Sequence, residues 1–81
     1  MPRFYFHIFN DDITRDEEGM DLADVDAARQ VAIRAVRELI CEEAKRGIIT
    51  LSHRIEVEDG DGRPGFIIDY TDAVKIVGMP R

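Results

Sequence analysis

The sequence predicts an α+β domain of two layers, in which an antiparallel sheet of about four strands packs on one long helix. Residues 24–47 carry apolar side chains at spacings of three and four between plausible helix caps, which predicts the helix. Short aromatic or alternating segments lie on both sides of it, which gives the order β-β-α-β-β. Since the chain has 81 residues, 44% of them apolar, and no repeat or linker, we expect a single domain over residues 1–81.

The first predicted strand is Arg3–Phe9, because RFYFHIF is dense in aromatic and β-favouring residues. Side chains alternate across a strand, so one face carries Phe4, Phe6 and Ile8 and the other carries Tyr5, His7 and Phe9. The first face meets the helix. We expect the second, aromatic face to be covered by a second subunit or by chain ends, which makes Tyr5, His7 and Phe9 candidate interface residues. A stacking surface for a base or a small ligand is the alternative.

An acidic segment follows this strand. Asn10, Asp11 and Asp12 predict a turn, residues 13–15 a short second strand antiparallel to the first, and residues 16–19 a loop, after which residues 20–22 lead into the helix. Eight carboxylates face one arginine between Asp11 and Asp26. The pattern of a calcium-binding loop is absent, so we interpret the segment as a solvated edge that blunts strand pairing and offers a docking face to a basic partner.

The helix is predicted to begin after Asp24, with Asp21 as the rival cap, and to end at Gly47, a residue that tolerates the left-handed conformation. The predicted apolar stripe comprises Val25, Ala28, Ala32, Ala35, Val36, Leu39 and Ile40, and the opposite face carries Gln30, Arg34, Arg37, Glu38 and Lys45. Cys41 falls on the polar side, between Arg37 and Lys45. A surface position without a chemical role is the simpler interpretation of this cysteine, and a redox or intermolecular disulfide role is the alternative.

The chain after the helix predicts a hairpin. Ile48, Ile49 and Leu51 are expected to tuck under the sheet. Residues 53–58 alternate with Ile55 and Val57 inward, residues 59–62 (DGDG) form a turn, and residues 66–70 return as a strand. Residues 72–77 form either a helical turn or a last short strand, and residues 79–81 form a tail.

Composition and the absence of known motifs reduce the number of functional classes to consider. The net charge of −6 and the pI near 4.7 disfavour nucleic-acid binding, which rests on phosphate neutralisation. Apolar runs are too short to span a membrane, and the single cysteine without a signal peptide is typical of a reducing cytoplasm. No catalytic motif, phosphate loop or metal-ligand spacing is present, so we assign no catalytic, cofactor or metal residue, and the lone His7 is interpreted as a packed or interfacial side chain.

Three stretches of the chain resemble a family of small bacterial proteins catalogued only as a domain of unknown function. They are MPRFYFHIFNDD, DEEGMDLADVDAARQVA, and RIEVEDGDGR followed by FIIDYTDAV. That resemblance implies the strand and helix order and no activity, cofactor or catalytic residue. A weaker, fold-level resemblance to HicB-like antitoxins rests on the element order and on ADVDAARQVAIRAV.

These observations lead us to expect a small, non-enzymatic, cytoplasmic interaction or regulatory module that forms a homodimer through the aromatic sheet face. One alternative is a HicB-like antitoxin that binds a basic toxin. Another is an enzyme of unrecognised type, which would need a polar pocket around His7 or the acidic loop.

Overall fold

The computed structural model describes residues 1–78, and residues 79–81, the predicted tail, lie outside the described part. In chain order the elements are β1 (Arg3–Phe9), β2 (Ile13–Thr14), β3 (Met20–Asp21), α1 (Val25–Arg46), β4 (Arg54–Asp59), β5 (Phe66–Asp69) and α2 (Tyr70–Ala73). All strand pairs are antiparallel, in the order β2-β1-β4-β5, and β3 also pairs with β1. The predicted α+β architecture, with one long helix packed on an antiparallel sheet, is confirmed.

The prediction of four strands in the order β-β-α-β-β is wrong in one detail. Residues 20 and 21, expected to lead into the helix, form a fifth strand in which Met20 pairs with Phe4 and Asp21 with Arg3. The chain leaves β1 as β2, loops out over residues 15–19 and returns to the same edge as β3. Both short strands therefore share one partner, and their two-residue length leaves no alternation pattern to detect in the sequence.

Helix α1 begins and ends where its caps predict. The Asp24 carboxylate accepts a hydrogen bond from the Ala27 N–H at 2.8 Å, so Asp24 rather than Asp21 is the N-cap. Gly47 closes the helix with φ of +88°, and its N–H donates to the carbonyls of the last turn. Within the predicted stripe Ala28, Ala32 and Val36 are buried and Ala35, Leu39 and Ile40 are partly buried, whereas Val25, in the first turn, is 46% exposed.

The core lies between α1 and the inner face of the sheet, where Phe4, Ile55, Val57 and Ile68 are buried as the alternation predicts. Ala28, Ala32 and Val36 face them from the helix. Small residues at these positions let the helix approach the sheet closely. The predicted return strand ends at Asp69, and α2 begins at Tyr70 as a single helical turn instead of at residue 72. Residues 74–78 belong to no strand or helix.

The expectation that Ile48, Ile49 and Leu51 tuck under the sheet is wrong. Their exposed fractions are 72%, 46% and 53%. Gly47 reverses the chain at the helix end, and the Thr50 N–H and Thr50 carbonyl are bound to Glu43 and to the His53 N–H. These bonds hold the loop backbone against the helix, so its apolar side chains project outward. Neither helix of the described chain is long and apolar enough to cross a membrane.

Candidate functional site

Three buried polar side chains meet where the C-terminal end of α1 approaches the sheet: Glu43, His53 and Tyr70, here called the Glu43 cluster. Glu43 lies on the apolar stripe, three residues after Ile40. Its Oε1 accepts the Thr50 N–H at 3.0 Å, and its Oε2 accepts His53 Nδ1–H at 2.9 Å and the Tyr70 hydroxyl. The carboxylate thereby joins the helix, the loop after it and the start of α2.

The hydrogen bonds of the cluster hold Glu43 as a charged acceptor. Burial by itself would raise the pKa of Glu43, but hydrogen bonds from His53, Thr50 and Tyr70 outweigh it and hold that pKa below its ordinary value. Burial, and then the bond to Glu43, raise the pKa of Tyr70. Glu43 is therefore ionised, with both oxygens hydrogen-bonded inside the protein, and Tyr70 stays protonated, so neither group is poised to exchange protons with a substrate.

A cavity of about 290 Å³ adjoins the cluster, lined by Asp11, Glu43, Arg46, Ile48, Thr50 and His53. His53 Nε2 faces this cavity and lies 3.4 Å from Asp11 Oδ1. Within residues 1–78, no group of three or more histidine, cysteine, aspartate or glutamate side chains is arranged to hold a metal ion. The Glu43 cluster therefore holds α1, the loop after it and α2 together by hydrogen bonds.

The predicted interface residues lie on the outer face of the sheet, the face turned away from α1, and the chain itself covers part of them. His7 is buried: its Nδ1 accepts the Asp16 N–H at 3.1 Å, and its Nε2–H donates to Glu58 Oε1 at 3.0 Å. Phe9 is half-buried under the Arg54 guanidinium, 4.5 Å from the ring centroid. Tyr5 is half-buried as well. The rings of these residues therefore lie partly beneath polar groups of the same chain, and we call this layer of rings the floor of the outer face.

The acidic loop is built around Asp16. Its Oδ2 accepts the Phe6 N–H at 3.0 Å, and its Oδ1 accepts the N–H groups of Glu18 and Gly19 at 3.2 and 3.1 Å. Burial opposes its ionisation, but these three backbone bonds dominate and lower the pKa of Asp16. Gly19 has φ of +74°, and a Cβ there would lie 2.9 Å from the Tyr5 ring. The segment resembling the family, DEEG, thus encodes a tight loop against β1.

The loop, the hairpin and the helix caps all fall inside the region that a family comparison matches. Residues 3–71 match the family described as Domain of unknown function (DUF6894). The chain belongs to this family. The resemblance to HicB-like antitoxins is not shown by the comparisons. A search of curated proteins and a search of solved structures each found no match.

The outer face of this DUF6894 chain also carries a groove of about 290 Å³, whose lining includes His7, Arg15, Glu56, Glu58 and Ile67. Ile67 is 49% exposed. Ile13, which pairs with Phe9, is exposed on the opposite side of the same face. Cys41 is exposed on α1, as its place on the polar side predicts.

Sequence reasoning missed the Glu43 cluster. One signal was available: Glu43 lies four residues after Leu39 and seven after Val36, so a carboxylate interrupts the apolar stripe at its last turn. A charged residue at such a position requires buried donors, although the sequence does not say that His53 and Tyr70 supply them.

Proposed function

We propose that this DUF6894 chain is a non-enzymatic cytoplasmic interaction module that self-associates as a homodimer. One observation carries the proposal. Ten large apolar side chains of the described residues are 45% or more exposed, whereas the buried core has nine apolar members, three of which are alanines. A core this small is marginal, and burying exposed apolar side chains against a second copy would stabilise the fold.

The chemistry of the polar groups supports a binding role over catalysis. Both oxygens of Glu43 and the Tyr70 hydroxyl are committed to each other and to the protein, and Asp16 is committed to backbone N–H groups. Both ring nitrogens of His7 are hydrogen-bonded, one to Asp16 and the other to Glu58. A general acid or base must lie within hydrogen-bond reach of the proton that it transfers to or from the substrate. These groups are instead hydrogen-bonded to other parts of the protein.

The outer face is the proposed contact surface. Tyr5, His7 and Phe9 provide its floor, and the exposed side chains of Ile13 and Ile67 stand on either side. In this proposal Tyr5 and Phe9 contact the second copy, His7 supports the surface from beneath, and Ile13 and Ile67 add two apolar contacts that the second copy would cover.

The test is the solution mass by size exclusion with light scattering, over a concentration series and with and without reductant. We expect twice the 9.3 kDa of one chain, unchanged by reductant. A dimer that disappears on reduction would instead assign the association to Cys41 and a disulfide. A monomer at every concentration up to about millimolar would refute the proposal.

A second candidate function, a HicB-like antitoxin that binds a basic toxin, is favoured by the acidic segment. Six of its eight carboxylates belong to exposed residues other than the cap Asp24 and the loop residue Asp16. Such a partner would be a small basic ribonuclease encoded by the adjacent gene. Co-expression of the two genes and co-purification of their products tests this candidate, and a gene without such a neighbour would eliminate it.

A further inference from the structure

We propose that the cavity beside the Glu43 cluster binds a small zwitterion of the amino-acid class, with its ammonium group beside His53 and Asp11 and its carboxylate on Arg46. The lining of this cavity shares no residue with the outer face of the sheet. The inference therefore goes beyond the proposed self-association and does not depend on it.

His53 is held as a hydrogen-bond acceptor that faces the cavity. The residue is only 8% exposed, and its Nδ1–H donates to Glu43 Oε2 at 2.9 Å. A neutral imidazole that donates from one nitrogen carries a lone pair on the other, so Nε2 is the acceptor. Glu43 is fixed in turn by the Thr50 N–H and the Tyr70 hydroxyl. The ring is therefore oriented from behind, as the polar groups of a binding site must be.

The group that faces His53 Nε2 is a second acceptor. Asp11 Oδ1 lies 3.4 Å from this nitrogen, and within residues 1–78 the Asp11 carboxylate forms no ion pair with a lysine or arginine. Two acceptors cannot bond each other, but one donor with several N–H groups satisfies both. An ammonium group has three N–H donors and a positive charge that the carboxylate favours. The pair is therefore complementary to an ammonium group.

Arg46 supplies the opposite charge in the same cavity. It is an exposed residue at the end of α1 and forms no ion pair within the described chain. Burial and the bond to Glu43 raise the pKa of Tyr70, and the Arg46 charge opposes them, so the guanidinium lies near this part of the cluster. Asp11 and Arg46 thus line one cavity without pairing with each other. A ligand that carries both charges matches this arrangement.

The charges and the volume of the cavity restrict the ligand further. A simple anion would be repelled by Asp11 and by the net charge of −6, and a metal ion would be repelled by Arg46. A zwitterion has no net charge. The volume of about 290 Å³ lies near the lower end of ligand cavities, about 300–1,000 Å³, and suits a free amino acid. Ile48 also lines the cavity and is 72% exposed, so it would contact an apolar ligand side chain.

The test is a titration with L-leucine, followed by the NMR signals of the imidazole nitrogens. We expect the His53 Nε2 signal to shift as this nitrogen accepts the ammonium group, with a dissociation constant of about a millimolar or less. His7 is the internal control, because both of its ring nitrogens are already hydrogen-bonded, and its signals should not shift. Isoamylamine lacks the carboxylate of leucine and isocaproate lacks its amino group, so each should bind at least about tenfold more weakly.

Two variants with matched controls locate the site. Asp11→Asn and Arg46→Gln each remove one charge from the cavity and should weaken leucine binding by about tenfold or more. Asp12→Asn and Arg34→Gln remove the same charges from exposed residues that do not line the cavity. These two control variants should bind leucine as the wild type does.

Several outcomes would overturn the site. Leucine binding that both cavity variants retain would place the ligand elsewhere, and isocaproate that binds as tightly as leucine would indicate an adventitious anion on Arg46. The zwitterion would be excluded if neither leucine nor γ-aminobutyrate, whose charges lie further apart, shifts the His53 signal. A shift with zinc alone would assign the site to a metal ion. A His53 ring that is protonated at pH 7 and donates to Asp11 would remove the acceptor. Each outcome leaves the self-association standing, since the solution mass is measured separately.

Discussion

Replacing Glu43 by glutamine tests how much the hydrogen bonds of the Glu43 cluster stabilise the fold. Glutamine has the same shape and keeps one carbonyl oxygen, so the bond from the Thr50 N–H survives. The amide group replaces Oε2 and faces the donors of His53 and Tyr70, so two bonds to a charged acceptor are lost. Such bonds contribute about 1.5 kcal/mol or more each, which gives a loss of about 3 kcal/mol.

That loss is large for this chain. A domain of this size is stable by roughly 4–12 kcal/mol, and 3 kcal/mol corresponds to a decrease in Tm of about 12–24 °C. The assay is urea unfolding followed by circular dichroism at pH 7. Glu42→Gln is the matched control, because Glu42 is exposed and, within residues 1–78, its side chain forms an ion pair only with Lys45, at 3.3 Å. It should change the free energy of unfolding by less than about 0.5 kcal/mol. Equal stability of the two variants would refute the stabilising role of the Glu43 cluster.

Acid unfolding gives a second reading of the same carboxylate. The pKa of Glu43 in the folded chain lies below the ordinary 4.5, so its stabilisation is complete above that pH and is lost as the pH falls through the lower folded value. The wild type and Glu42→Gln should therefore converge in stability with Glu43→Gln as the pH is lowered from 5 to about 2. A difference that stays constant over this range would show that Glu43 contributes packing and not charge.

Three further predictions concern the acidic loop and the buried phenol. Asp16→Asn should lower the free energy of unfolding by about 1–2 kcal/mol at pH 7, since the amide faces the Phe6 N–H, and should lessen the loss of stability below the ordinary aspartate pKa of 3.8; equal stability at pH 7 would contradict the contact. Gly19→Ala should cost about 1 kcal/mol more than Gly62→Ala in denaturant unfolding, because both have positive φ and only Gly19 would place its Cβ within 3 Å of other atoms. In Tyr5→Phe the only tyrosine is Tyr70, and its ultraviolet titration should occur above the ordinary value of 10.0; ionisation at 10.0 would place the phenol in water.

Local chemistry made the helix and the long strands predictable. Asp24 and Gly47 cap α1 through contacts within three or four residues, and the stripe between them repeats every turn, so the sequence alone contains the signal. The alternation of β1 and β4 likewise identifies the inner face. Residues that act through neighbours in the chain are the ones that sequence analysis places correctly.

Contacts between distant residues decided the rest. Glu43 and Tyr70 are 27 residues apart, and nothing local indicates that they meet. Strand β3 has two residues and depends on the loop around Asp16 to bring it back to β1. Ile49 is apolar, yet it faces solvent because the Thr50 N–H binds Glu43 and turns the loop outward.

Asp16 and Glu43 share a role in the fold. Each carboxylate accepts N–H groups that the sheet or the helix leaves open, Asp16 at the β1 edge and Glu43 beyond the end of α1. Some of the carboxylates of this chain therefore bind backbone N–H groups to which another strand or loop could otherwise hydrogen-bond. At the opposite edge of the sheet, the Asp72 carboxylate likewise accepts the Asp69 N–H, at 2.8 Å, so each edge carries a carboxylate that binds a backbone donor.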